Sequence, residues 1–222
     1  PQPVLRVPGV RKPGGAAPQP WAVPRRAAGP AGYDPGAAPG RPSNPPVLRV
    51  KKIVRIANGQ GFWGDWLEAP VRLIEQGPID YLALDYLAEI TMSIVQKQKQ
   101  ADPNLGYARD FPPLMARIAR QIRANNVKVV ANAGGVNPQA CAAEVRRLAP
   151  DLKVAIVTGD DLYDRLNTLL SAGHAMANME TGEPLASIRD RILSANAYIG
   201  AFPVAQALAT GADVVIAGRC TD

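Results

Sequence analysis

Acidic, amide and glycine residues recur in this chain directly after short apolar runs, and these are the positions where chemistry could occur. Asn58, Gly59, Gly61, Gly64 and Asp65 follow the run at 53–57. Asp85, with Glu89 behind it, follows 79–84. Asn132, Gly134 and Gly135 follow 127–131, Gly159, Asp160 and Asp161 follow 154–157, and Gly218 to Asp222 follow 214–217. Glycines at such turns let the backbone bend tightly and leave N–H groups open to an anion, and a helix starting just behind adds its positive end. Asp85 differs because no glycine turn accompanies it. It either hydrogen-bonds neighbouring loops or serves as a general base, which makes it the candidate catalytic residue. Glu89, one turn into the next helix, reads as solvated. Asp65, Asp160 and Asp161 stand where helix N-caps belong, and capping alone accounts for them as well as ligand binding does.

The motifs exclude several chemistries. GQGFWG at 59–64 has its glycines at the wrong spacing for a dinucleotide fingerprint, and no Gly-Lys-Ser/Thr follows for a P-loop. Phe62 and Trp63 inside it suit a flat or hydrocarbon-bearing ligand as well as they suit packing. There is no HxH, HExxH or CxxC, which argues against a transition-metal site. A Mg²⁺ held by Asp85, Asp160 and Asp161 stays open, and the residues do not name a cofactor.

These positions need an alternating scaffold, and the hydrophobic pattern supplies one. Residues 53–57 read as a strand covered on both faces, followed by a helix with Leu67, Val71 and Ile74 on one side. Asp65 and Glu68 have capping-box spacing, although Pro70 favours a start nearer Ala69, with Trp66 and Leu67 extended. After the second strand, 86–99 reads as a helix with Leu87, Ile90 and Ile94 buried. Asp110 caps a helix that carries Pro112 and Pro113 in its first turn and buries Leu114, Ile118 and Ile122. Asn137-Pro138 opens another, on which Cys141, Val145 and Leu148 share a face, so Cys141 is a core residue. Leu162, Leu166 and Leu169 continue as a helix, 171–194 is hard to read, and the single histidine, His174, falls there as a surface residue. A short helix at 202–209 precedes the last strand. Strand–helix alternation predicts an α/β fold, an open, mainly parallel Rossmann-like sheet with helices on both faces. In such sheets ligands bind beyond the carboxyl ends of the strands, where the polar groups above cluster.

Composition divides the chain in two. Of its 22 prolines, 13 lie before Val47, and residues 1–52 carry nine Lys/Arg against one acid, about +8. The remainder has 16 bases and 18 acids, about −2, so the sequence pI of 9.6 describes the leading segment. Residues 1–48 read as a disordered Pro/Gly/Arg-rich tail, either regulatory or targeting, or translated sequence upstream of the true start. The folded domain is 49–222. Its mild acidity and the scarcity of aromatics in the tail argue against nucleic acid as a partner. No apolar run is long enough for a membrane span, no signal-peptide core is present, and two cysteines form no framework. The expectation is a cytoplasmic protein.

The motifs IANGQGFWGDWLEA, GPIDYLALDYLAEITM, DPNLGYARDF, VKVVANAGGVNPQAC, VAIVTGDDL and ANAYIGAFPVAQALATGADVVIAGRCTD, in that order and spacing, resemble the acyclic terpene utilisation protein AtuA family over about 50–222. The resemblance implies a place in bacterial breakdown of citronellol- and geraniol-like terpenes, carried on acyl-CoA thioesters, with no assigned reaction step. Family members run on past the GR-x-TD motif at Arg219 to Asp222, which implies a sheet incomplete at its C-terminal end. Cys220 stands where Val is expected. The implied ligand is a small molecule or branched acyl-CoA, with self-association left open. The glycine turns would hold phosphate or carboxylate, Arg219 would pair an anionic group bidentately, and Asp85 would act as base. A non-catalytic binding or scaffold subunit and an inactive fragment are the alternatives.

Overall fold

The computed structural model describes residues 53–221, so the expectations for the 1–48 tail and for Asp222 lie outside the described residues. Five strands form one parallel sheet in the order β1-β2-β3-β5-β4, with β1 at Ile56–Gln60, β2 at Tyr81–Leu84, β3 at Lys128–Ala131, β4 at Val154–Ile156 and β5 at Val214–Ile216. The helices are α1 (Glu68–Gln76), α2 (Glu89–Ala101), α3 (Phe111–Ala124), α4 (Pro138–Leu148), α5 (Leu166–Ser171) and α6 (Ala201–Ala209), with 3-10 turns at Tyr163–Arg165 and Leu185–Arg191.

The strand order explains the layering. From β1 to β4 the chain always advances across the sheet, so right-handed crossovers put α1 to α4 on one face. Between β4 and β5 it steps back, which sends α6 to the other. The side chains of β5 record this division. Val214 and Ile216 belong to the large core with Cys141, Val145 and Ile118, whereas Val215 and Ala217 pack with Val157, Ile199, Val204 and Leu208. The expected open α/β sheet with helices on both faces is therefore present.

Two local expectations are overturned. The strand at 53–57 was expected to be covered on both faces, but β1 starts at Ile56, lies at the sheet edge, and leaves Ile56 69% exposed. An apolar run looks the same whether one neighbour covers it or two. On α2 the buried residues are Met92 and Val95, while Ile90 and Ile94 face outward. The helix begins three residues later than expected, because residues 85–88 are held extended by hydrogen bonds to the β3 loop. On α1 Val71 and Ile74 are buried as expected, whereas Leu67 precedes the helix with helical backbone and is exposed. Elsewhere the periodicity holds: α3 buries Leu114, Ile118 and Ile122, and α4 starts on Asn137, whose side chain accepts from Ala140 N at 3.3 Å. Cys141 is fully buried, which pushes its thiol well above the ordinary range, and His174 is exposed.

Candidate functional site

Strand register brings the predicted positions together. Gln60, Leu84, Ala131, Ile216 and Ile156, the last residues of the five strands, stand in one row across the sheet. Every following loop therefore leaves at the same level, starting with Gly61, Asp85, Asn132, Ala217 and Val157. The loop after β3 turns toward α4 on one face, and the loop after β4 leads toward α6 on the other. The end of β5, at Gly218 and Arg219, lies in the crevice between them.

Asp85 and Asn132 occupy adjacent places in that row. Asn132 Nδ2 donates to Asp85 Oδ1 at 2.5 Å, and Asn132 Oδ1 accepts from the backbone N–H groups of Tyr86 (2.6 Å) and Leu87 (3.2 Å). Asn132 is thus a buried brace that fixes the Asp85 carboxylate and the start of the β2–α2 loop. A cavity of about 210 Å³ opens beside it, lined by Gly61, Phe62, Asp85, Tyr86, Leu87, Ala88, Thr91 and Arg219. Its walls are mostly apolar, with one carboxylate and one guanidinium contributed by different strands. It is smaller than the roughly 300–1,000 Å³ typical of a drug-sized ligand and fits a functional group with a few attached carbons.

Arg219 is only 5% exposed. Its Nη1 donates to Cys220 O at 2.5 Å, and its guanidinium lies 4.8 Å from the centre of the Tyr198 ring. Tyr198 Oη in turn donates to Glu89 Oε1 at 2.6 Å. That bond and burial hold the phenol above its ordinary value, with Arg219 pulling the other way. Glu89 is exposed, as expected, and it also ties α2 to the segment before α6. Neither Tyr198 nor Asn196 was singled out from sequence, since the irregular stretch that carries them has no periodicity. Their place inside ANAYIG was the available signal.

Gly159, Asp160 and Asp161 line a second cavity of about 180 Å³ with Lys99, Val136, Pro138, Gln139 and Thr158. Asp160 does not cap a helix. Its carboxylate is 4% exposed and lies against Gly218, with Asn196 Nδ2 donating to Oδ2 at 3.3 Å. Burial pushes its carboxyl above the usual carboxylate range, against the pull of backbone N–H groups and Asn196. Asp161 accepts from Tyr163 N at 3.0 Å, a cap-like contact at the 3-10 turn, and lies 3.9 Å from Lys99 Nζ. Burial pushes the Cys220 thiol above its ordinary value; Arg219 pulls it down, and Asp160 and Asp85 both raise it.

The remaining positions are placed differently. Asn58 is exposed within edge strand β1, and Gly59 packs so closely on Pro70 and Leu84 that a Cβ would clash. Asp65 accepts from Gly61 N (3.0 Å) and Trp66 N (2.7 Å), which lowers its pKa, so it closes its own loop and caps nothing. Helix α1 starts at Glu68, whose carboxylate pairs with Arg117, and Pro70 falls in the first turn, where no ladder bond is lost. Gly134 donates to Ala217 O at 2.9 Å, and Gly135, at φ 56°, lies against Gly106, so both serve close packing. Asp110 stands at the expected N-cap position, yet its carboxylate accepts from Trp63 Nε1 at 2.8 Å.

A larger hollow of about 570 Å³, on the outer side of α3, lies toward the opposite end of the strands. It is an open trough of alanines with Arg120 and Arg123, the latter 3.4 Å from Asp151, and brings none of the rim residues together. Among the described residues no group of three or more His, Cys, Asp or Glu is arranged to hold a metal ion, and no helix is long and apolar enough to cross a membrane.

A family model described as "Acyclic terpene utilisation family protein AtuA" matches residues 54–222. No curated protein matches the chain, and no solved structure does.

Proposed function

The chain belongs to the acyclic terpene utilisation (AtuA) family, and from that premise we propose that its rim cavity takes the acyl end of a branched, citronellol- or geraniol-derived acyl-CoA or the related acid. Arg219 pairs with the carboxylate or thioester oxygen, and Asp85 removes a proton from the adjoining carbon. The observation that carries this reading is that Asp85, from the end of β2, and Arg219, from the end of β5, line the same apolar-walled cavity. A base aligned with a cation that stabilises negative charge on the substrate oxygen is what proton abstraction next to a carbonyl requires. Phe62, Leu87 and Ala88 offer the surface for branched hydrocarbon.

Two measurements test it. Branched acyl-CoA at a hundredfold excess over its Kd should stabilise the protein by about 2.7 kcal/mol in thermal unfolding. In D₂O the protein should wash deuterium into the carbon next to the thioester carbonyl, and Asp85→Asn should abolish the exchange while leaving binding in place. An unchanged melting temperature at millimolar ligand sinks the binding claim. Binding without exchange in the unsubstituted protein assigns the non-catalytic role instead.

A further inference from the structure

We propose that Tyr198 is the positioning residue of this cavity, holding the Arg219 guanidinium so that the site prefers a carboxylate to the alcohol of the same carbon skeleton. The inference rests on reading the cavity as an anion site, and its first test below does not depend on that reading.

The geometry is a three-part clamp. The Arg219 guanidinium lies over the Tyr198 ring at 4.8 Å, where the negative face of the aromatic attracts it. Tyr198 is fixed from its other end, since its hydroxyl donates to Glu89 Oε1 at 2.6 Å on the first turn of α2. The backbone on either side is fixed as well: Ile199 N donates to Arg219 O at 2.9 Å, Thr221 N donates to Ile199 O at 3.0 Å, and Ala197 N donates to Asp160 O at 2.7 Å. Segment 196–199 is thus laced to the loops after β4 and β5, and its tyrosine reaches across to α2.

The consequence concerns selectivity. Arginine has a long side chain with much rotamer freedom to lose, and a cation gains most on an anion when it is held in place and shielded from water. The ring covers one face of the guanidinium and, together with the Nη1 bond to Cys220 O, sets its direction before any ligand arrives. An uncharged alcohol gains little from that arrangement, whereas a carboxylate gains a charge-assisted, bidentate partner. Asp85 in the same cavity opposes any anion, so a loosely held Arg219 would leave the balance against carboxylates.

The test uses the full chain and the substitutions Tyr198→Phe, Tyr198→Leu and Glu89→Ala. The first readout is the order of the Arg219 Nε–H group by ¹⁵N relaxation without ligand, assigned with Arg219→Lys. Order should be lost in the Leu variant and fall measurably but partway in the Phe and Glu89→Ala variants, which keep the ring but free its far end. Equal order in all three sinks the positioning role whether or not the cavity binds acids, and the Phe and Glu89→Ala variants keep the test alive if the Leu variant does not fold. The second readout is the affinity ratio of a branched C10 acid to its alcohol. It should fall by roughly two- to thirtyfold in the Leu variant, with a smaller fall in the Phe variant. An unchanged ratio overturns the selectivity claim. A wild-type protein that binds neither compound, with Arg219 ordered by Tyr198 all the same, overturns the anion-site reading and the selectivity built on it, and leaves the positioning role standing.

Discussion

Replacing Gly218 by alanine should unseat Asp160, and the cost can be worked from the structure. A Cβ at Gly218 would lie 2.6 Å from Asp160 Cγ and closer still to Oδ2. An aspartate side chain has no flexible stem with which to retreat, and Cγ is itself in the way, so the whole carboxylate must rotate. At 4% exposure it has no free space around it except the small cavity on its Lys99 side. Overpacking of this kind costs about 1–3 kcal/mol. Rotation also breaks the bond from Asn196, about 0.5–1.5 kcal/mol more. The total, about 1.5–4.5 kcal/mol, corresponds to a fall in melting temperature of roughly 3–18 °C for a domain of this size. The assay is thermal unfolding by circular dichroism beside a Gly200→Ala control. Gly200 has φ −82° and nothing near its missing Cβ, so its substitution should cost only the N-cap preference for glycine over alanine at the start of α6, about 1 kcal/mol or less. Equal melting temperatures for the two variants would refute the reasoning, since only the Gly218 methyl group meets a neighbouring side chain.

Asn132→Ala should destabilise by about 2–4 kcal/mol in urea unfolding, because two backbone N–H groups, those of Tyr86 and Leu87, lose their acceptor in a buried place. Hydrogen exchange at those two amides should accelerate selectively, and uniform protection would count against the brace. Asp160→Asn tests the buried carboxyl through pH. A carboxyl raised by burial keeps its proton in the folded state after the unfolded chain has released it. The contribution of Asp160 to wild-type stability should therefore fall as pH climbs from the ordinary value of about 3.9 through the raised folded value, and level off above it. The Asn variant lacks that decline, so its stability relative to wild type should grow with pH across that window. Parallel profiles would show that the carboxyl does not titrate abnormally.

Much of the scaffold was legible because its signals are local. A strand of Val and Ile followed by Asn-Pro, as at 127–138, declares its ends through backbone chemistry that tertiary contacts do not alter. The arrangement of those pieces was not legible. Nothing in VVI at 214–216 says that it inserts between β3 and β4, because insertion is decided by which crossover can pack, a property of the whole chain. Burial misled at β1 and α2 for a related reason: an Ile on an amphipathic helix marks the core only if the helix is rotated that way, and Asn132 fixes the loop that sets the rotation of α2. The convergence of Asp85, Asn132 and Arg219 followed from strand ends alone. The division of labour among the glycines did not, since a glycine that admits a ligand and one that admits a neighbouring backbone are the same letter. Tyr198 and Asn196 escaped because they sit in a segment ordered by long-range contacts.

The place of β5 also bears on how the sheet can be assembled. Among the described residues β4 pairs with β5 and with no other strand, and β3 reaches β4 only through it. A chain emerging from the ribosome can zip β1, β2 and β3 together as each appears, but β4 must wait, its backbone groups without strand partners, until about sixty further residues have been made. The three residues of β5 then satisfy both neighbours at once. Among these five strands, order of synthesis and order of assembly are out of step here, and the delayed joint is the one from which Arg219 projects.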